Sequence, residues 1–369
     1  MTTPRPRATT AAARIAAALA TIAASAHAHA APGPDLRPGQ PQDQPQPAPE
    51  QAQEAGEISP ELDRAIARGL EFLATQQNAD GSFGDGTWGR GVAVTSLAAL
   101  AYMADGHTPG RGRYGPIVER ALAYVLDRSQ QSGLLADDQA PSPMYGHGFA
   151  TLFLGEVYGM AGADPALNTR LHETLVKAVR LIERSQNEEG GWRYNPVPND
   201  ADVSVTICQV MALRSARNAG IEVSKAVIDD AVEYVKVCQN ADGGFRYQQR
   251  VGRSAWPRSA AGVATLFYAG QFRDEAIDRG IAYLLRDAMT EAARRRGYYY
   301  YGHYYAVQAM FLAGGEAWST WWPSARDELL QGQTPQGAWP DRSVGTAYGT
   351  AMALIVLQMP KRYLPIYQK

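Results

Sequence analysis

The sequence predicts an all-α fold, an (α/α)6 toroid in which two rings of helices run concentrically. Three observations predict it. A unit of helix, turn and second helix recurs: Gln77, Gln130, Gln186 and Gln239 mark its turns at spacings of 53, 56 and 53 residues, and Gln333 follows after 94, leaving room for one more copy. The first helix of each unit carries charge on one face and the second almost none, as outer and inner helices do. Beyond short extended pieces in the loops, nothing supports strands.

Taken in order, the chain opens with Arg5, Arg7 and Arg14 around a short apolar run, Ile15 to Ala26, followed by small-x-small sites at Ala26-His27-Ala28 and Ala28-His29-Ala30. Residues 1–30 therefore read as a signal peptide, which implies an exported, periplasmic or secreted, protein. The apolar run is too short to span a bilayer, and no later segment is longer and uninterrupted. Residues 31–57, rich in Pro and Gln with almost nothing to bury, read as a disordered linker. The toroid domain of six helical-hairpin repeats then occupies 58–369.

Removing the leader takes the net charge from −2 to −5, because it carries three arginines and no acids. That balance argues against a nucleic-acid partner. The cluster Arg294-Arg295-Arg296 reads as a solvated helix end. Cys208 and Cys238 permit a disulfide without requiring one, and an offset of about 8 Å along antiparallel helices disfavours it. No Cys-x-x-Cys or His-x-x-x-His spacing calls for a metal, and no cofactor is expected.

Within the body, the outer helices begin their signature at Arg68 ("RGLEF"), Arg120 ("RALAY"), Lys177 ("KAVRL") and Arg279 ("RGIAY", the copy that has lost its turn). The turns read "NADGSF" from Asn78, "NEEGGW" from Asn187, "NADGGF" from Asn240 and "TPQGAW" from Thr334. Glycine can close a helix in the left-handed region, a glutamine amide can serve orphaned backbone groups, and the aromatic covers the junction. These turns do not read as calcium loops, since none runs twelve residues to a bidentate glutamate. The inner helices are expected over Gly91–Met103, Gly148–Met160, Val203–Leu213, Ala260–Phe272, Tyr304–Leu312 and Gly345–Leu357.

This unit, basic-small-x-x-aromatic, then Gln, then Gly-x-Trp or Gly-x-Phe, resembles the QW repeat of squalene–hopene and oxidosqualene cyclases, whose superfamily includes the protein prenyltransferase β-subunits. The resemblance covers Ile58 to Lys369. It implies a central cavity at the inner-helix N-termini and a hydrophobic, terpenoid-type ligand. Cyclases of this type protonate substrate with the middle aspartate of Asp-x-Asp-Asp-Thr-Ala. The matching stretch here is Asp202-Val203-Ser204-Val205-Thr206-Ile207, so Ser204 stands where the acid would be. His303 is similar in place to the zinc-binding histidine of the prenyltransferases, but the preceding "SAWPRSAAG" offers neither Asp nor Cys. The Gly-Cys-Gly-Glu-Gln segment of complement-type thioester domains is absent.

Each inner-helix start carries a polar group: Arg90, His147, Asp202, Arg258, His303 and Asp341. Asp202, Ser259 and Asp341 also suit N-caps, and both histidines suit packing with a backbone hydrogen bond. For catalysis the expected acid/base pair is Asp202 and His303. His147, Tyr301, Tyr304, Trp256 and Arg258 are the expected ligand contacts. Glu156, alone in an apolar helix, should meet an arginine or have a raised pKa. Three functions fit: binding of a hydrophobic or ring-shaped small molecule, a non-catalytic scaffold for a protein partner, and a glycan hydrolase or lyase with paired carboxylates drawn from Asp200, Asp202, Glu156 and Asp341.

Overall fold

A computed structural model describes residues 57–84, 91–138, 140–158, 160, 164–250, 252–286 and 298–368. The expected leader, most of the linker, Arg90 and the Arg294-Arg295-Arg296 cluster lie outside them. Among the described residues there are twelve α-helices: α1 (Pro60–Ala74), α2 (Val92–Met103), α3 (Gly115–Asp127), α4 (Pro143–Tyr158), α5 (Pro165–Ser185), α6 (Val203–Asn218), α7 (Lys225–Val237), α8 (Trp256–Tyr268), α9 (Glu275–Arg286), α10 (Tyr299–Ala313), α11 (Gly315–Gly332) and α12 (Thr346–Leu357).

The even-numbered helices form the inner ring. α2 packs on α4, α4 on α6, α6 on α8, α8 on α10, α10 on α12, and α12 returns to α2. Each odd-numbered helix lies outside; α3, α5, α9 and α11 pack mainly on the inner helix that precedes them, and α1 packs mainly on α12. Side-chain chemistry dictates this division. Eleven of the twelve residues of α2 are buried, whereas α9 buries only the stripe Ala276, Ile277, Gly280, Tyr283 and Leu284. Where α4 meets α6 the contact needs glycine: a Cβ on Gly148 would come within 3.0 Å of the Cys208 backbone.

The turns fasten one hairpin to the next. The amide Nε2 of Gln77, Gln186, Gln239 and Gln333 donates to the glycine carbonyl four residues on, and to a carbonyl in the next outer helix: Ile117, Val227, Ala276 and, closing the ring, Ala65, at 2.7 to 3.1 Å. The basic residues of the outer-helix signature complete these joints from the neighbouring unit. Arg120, Arg279 and Arg68 donate to the side-chain oxygens of Gln77, Gln239 and Gln333. In the second turn the register differs from the expected one. Ser129, not Gln130, pairs with the position equivalent to Phe83, which is Leu135, and Gln130 is exposed. Gly133 still takes φ +89° there, and a Cβ on it would meet the Lys177 carbonyl at 2.4 Å.

Several inner helices begin earlier than expected. Pro143 opens α4 and Trp256-Pro257 opens α8, since proline is tolerated in a first helical turn. His147, Arg258 and His303 therefore sit inside helices rather than in the loops that lead to them. At the far end of the ring the last residues turn inward: a 3₁₀ turn, Pro365–Tyr367, packs on α6, and Ile366 N–H donates to Glu156 at 3.1 Å.

Candidate functional site

A cavity of about 760 Å³ opens among the N-terminal ends of the inner helices. Its apolar wall comes from Val92, Val94 and Leu97 of α2, Phe149 of α4 and Met352 of α12. Its polar wall is mostly hydroxyl: Tyr145, Tyr194, Ser204, Tyr298, Tyr301 and Tyr348. One carboxylate, Asp137, is among the described lining residues, and it is committed to structure. Its Oδ2 accepts from Val92 N–H at 2.9 Å, capping α2, where Gly91 offers no side chain. Its Oδ1 takes the Tyr124 hydroxyl at 2.5 Å and Arg128 Nε at 3.3 Å.

The inner helices reach this arrangement through one repeated contact. The backbone N–H of the turn aromatic donates to a side chain one turn into the following inner helix: Phe83 to Thr95, Trp192 to Thr206, Phe245 to Ser259, Trp339 to Thr350, at 2.8 to 3.2 Å. His147 fills that position in α4. Its Nδ1 accepts from Leu135 N–H at 3.1 Å, and its Nε2 lies 3.3 Å from the Ala178 carbonyl. The ring is fully buried, and burial pushes its pKa down to about 4. His147 is thus a neutral structural joint set behind the cavity wall, and Ser259 is the same joint in α8 rather than a cap.

Of the other expected residues, only Tyr301 lines the cavity. Tyr304 is fully buried one layer deeper, edge-on to Phe149 at 6.0 Å between ring centres. Trp256 is buried and donates through Nε1 to Leu284 O at 3.1 Å. Arg258 is tied to the Phe245 and Arg253 carbonyls. His303 stands in α10 at the register of His147, with Nδ1 3.0 Å from Tyr299 O and its ring among Tyr299, Trp256 and Trp321. The expected acid/base pair is therefore not assembled on the cavity: neither Asp202 nor His303 is in its wall.

Asp202 caps α6. Oδ1 accepts from Ser204 and Val205 N–H at 2.8 and 2.9 Å, the carboxyl is fully buried, and burial raises its pKa to about 6. Ser204, one turn-position on, is in the wall itself. Asp341 holds the Ser343 and Val344 amides ahead of α12, and Asp200 is paired with Arg193. Among the described residues Glu156 meets no arginine. Ser215 Oγ and Ile366 N–H serve it instead, and burial lifts its pKa to about 7. None of the four carboxylates that a glycan hydrolase would draw on lines the cavity. Cys208 and Cys238 are both free and buried.

Sequence reasoning missed Tyr145, Tyr194, Tyr348 and Asp137. The first three lie next to turn or helix-start motifs and carried a signal only as aromatics. Asp137 carried none, because its partner Val92 is supplied by the preceding inner helix.

Comparison with known proteins agrees with this architecture. Residues 166–304, from α5 into α10, match the squalene-hopene cyclase C-terminal domain. Drimenyl diphosphate synthase of Streptomyces showdoensis is 26% identical over 187 residues, 51% of this chain, and the match spans about a third (32%) of that protein's length. Among solved structures, a type II terpene cyclase variant from Scytonema in complex with geranylgeranyl dihydroxybenzoate superposes with a TM-score of 0.57 at 15% identity, covering 82% of this chain and 98% of that one. Cellobiose 2-epimerase from Bacillus thermoamylovorans gives a TM-score of 0.58 at 11% identity, covering 82% and 99%. The chain is a squalene cyclase-like α/α toroid, and the structural likenesses speak for the fold alone.

Proposed function

We propose that this protein binds an apolar, terpenoid-type molecule in the cavity at the inner-helix N-termini. The observation that carries the reading is the wall itself: apolar side chains from α2, α4 and α12 face tyrosines from α4, α10 and α12 around a volume that suits a small-molecule ligand. Aromatic faces favour isoprenoid chains and any cationic character they develop. The likeness to terpene cyclases supports the same ligand class. A serine hydroxyl cannot protonate an alkene, so Ser204 does not replace a cyclase's acid, and a reaction in this cavity needs another proton source.

The test is native mass spectrometry and thermal shift with farnesol, geranylgeraniol and squalene, comparing the wild type with Ala93→Trp, which puts an indole into the cavity wall. Binding by the wild type that is lost in the folded variant supports the reading; no binding across the panel removes it. We also propose that the turn glutamines and aromatics act as QW-type staples. A further proposal is that residues 1–30 direct export and residues 31–57 serve as a tether to the body. N-terminal sequencing of the protein from a periplasmic fraction checks the export proposal, and a start after Ala28 or Ala30 is expected.

A further inference from the structure

The cavity wall is graded in polarity from its mouth inward, and the grading follows helix register. On α4 and on α12 a tyrosine in the first turn is followed four residues later by an apolar side chain: Tyr145 then Phe149, and Tyr348 then Met352. Residues four apart share a helix face, so each apolar side chain lies one turn, about 6 Å, deeper than its tyrosine. Leu97 of α2 lies at a similar depth, one turn beyond Ala93. Long side chains on a helix lean toward its N-terminus, which carries the Tyr145 and Tyr348 hydroxyls toward the mouth. There the Tyr145 ring stands 6.1 Å, centre to centre, from that of the loop residue Tyr194.

Neither hydroxyl has a task in the fold. Tyr194 is bonded to Tyr247, and Asp137 is engaged by Val92, Tyr124 and Arg128. The Tyr145 and Tyr348 hydroxyls, by contrast, bond no described residue. Burial pushes both phenols above their usual range, so each keeps its proton and can donate as well as accept. Two idle hydroxyls above an apolar floor call for a ligand with one polar end.

We propose that the cavity takes its ligand tail-first: an isoprenoid chain lies on Leu97, Phe149 and Met352, and an uncharged oxygen head group, a hydroxyl or a carbonyl, is hydrogen-bonded by Tyr145 and Tyr348. This rests on the reading that the cavity holds a terpenoid-type ligand, and names the end by which that ligand is recognised. The head is neutral because Asp137 sits at the same level, at the start of α2, and would repel an anion, while no described lining residue is cationic. A hydrocarbon would cover both hydroxyls and give them nothing to bond, which a site built for an oxygen discriminates against.

The experiment compares farnesol, the same chain with hydrogen in place of the hydroxyl, and farnesyl diphosphate, by competition in native mass spectrometry. The proteins are wild type, the double variant Tyr145→Phe/Tyr348→Phe, and Phe149→Leu. The double variant loses only two oxygens that bond nothing described, so it keeps the wild-type melting temperature. Wild type should hold farnesol about tenfold or more tighter than either competitor, and the double variant should bring farnesol and the hydrocarbon within about threefold of each other. Phe149→Leu deepens the floor and should change affinity for the chain while keeping the preference for the alcohol. Equal binding of alcohol and hydrocarbon by wild type, tighter binding of the diphosphate, or a preference that survives in the double variant overturns the head-group assignment and leaves the ligand reading standing. Loss of the preference in Phe149→Leu overturns the tail-first orientation. If folded wild type binds none of the three, the ligand reading falls and this inference falls with it.

Discussion

Replacing Glu156 by glutamine should make the protein more stable at high pH and change little at low pH. The carboxyl is 3% exposed at the C-terminal end of α4, served only by the Ser215 hydroxyl and the Ile366 amide. Burial lifts its pKa from 4.5 to about 7. Below pH 4.5 the group is protonated in both folded and unfolded chains and has no effect on the balance between them. Between 4.5 and 7 the unfolded chain loses its proton first, so stability falls as pH rises; above 7 the loss is complete and amounts to about 3 kcal/mol. Glutamine reproduces the protonated form. Its amide can donate to Ser215 Oγ, whose own proton then goes to the Leu152 carbonyl, and its oxygen can accept from Ile366 N–H. Chemical denaturation of wild type and E156Q at pH 4, 6 and 8.5 measures the difference. The variant should gain about 3 kcal/mol on the wild type across that range. Parallel pH curves for the two proteins would refute the reasoning, because they would mean that Glu156 is not the group whose burial opposes ionisation.

Other outcomes follow from the same structure. Gln333→Ala removes the bonds to the Ala65 carbonyl and from Arg68 that close the ring onto α1 and should cost about 2 kcal/mol, with faster amide exchange in α1, whereas Gln130→Ala should lie within about 0.5 kcal/mol of wild type. His147→Ala leaves the Leu135 amide and Ala178 carbonyl unserved and should cost about 3 kcal/mol in denaturant melts without changing farnesol binding. Because His147 titrates at about 4 rather than 6.5, wild type should also lose stability as pH falls through that window, and His147→Thr should flatten the loss. Cys208 and Cys238 are buried and free, so the native protein should show no fast thiol reaction with a disulfide reagent and two reactive thiols after denaturation; a native thiol reacting within seconds contradicts this placement.

Much of the fold was legible because its determinants are local. The charge on one face of α5 and its absence from α2 and α12 separate outer from inner helices without any knowledge of their partners. The glutamine and glycine of each turn likewise declare themselves in sequence. Two things were not legible. The first was register: Gln130 looks like its counterparts, but the turn is anchored by Gly133, which counts back to Ser129. The second was anything owed to a neighbouring unit. Arg68 completes a joint 265 residues away, and Asp137 caps a helix 45 residues before it. Short-range pattern carries no trace of such pairs.

The candidate site was misread for a related reason. A histidine near the start of an inner helix suggests chemistry when it is seen once. Seen against Thr95, Thr206, Ser259 and Thr350 at the same register, His147 is one more acceptor for a turn amide, and His303 occupies the matching place in α10. The same comparison singles out Asp202 in the opposite direction. α2 and α12 begin at glycine and α8 at alanine, none capped by the side chain of its own N-cap residue, so a fully buried aspartate at that position is not a requirement of the repeat. Burying it costs free energy that a half-buried, uncharged cap of the Ser59 kind on α1 avoids. What sets α6 apart is its surroundings: Ser204 and Tyr194 stand in the cavity wall. The departure from the repeat and the approach to the cavity coincide at one residue, and that coincidence is the physical reason to look for function there.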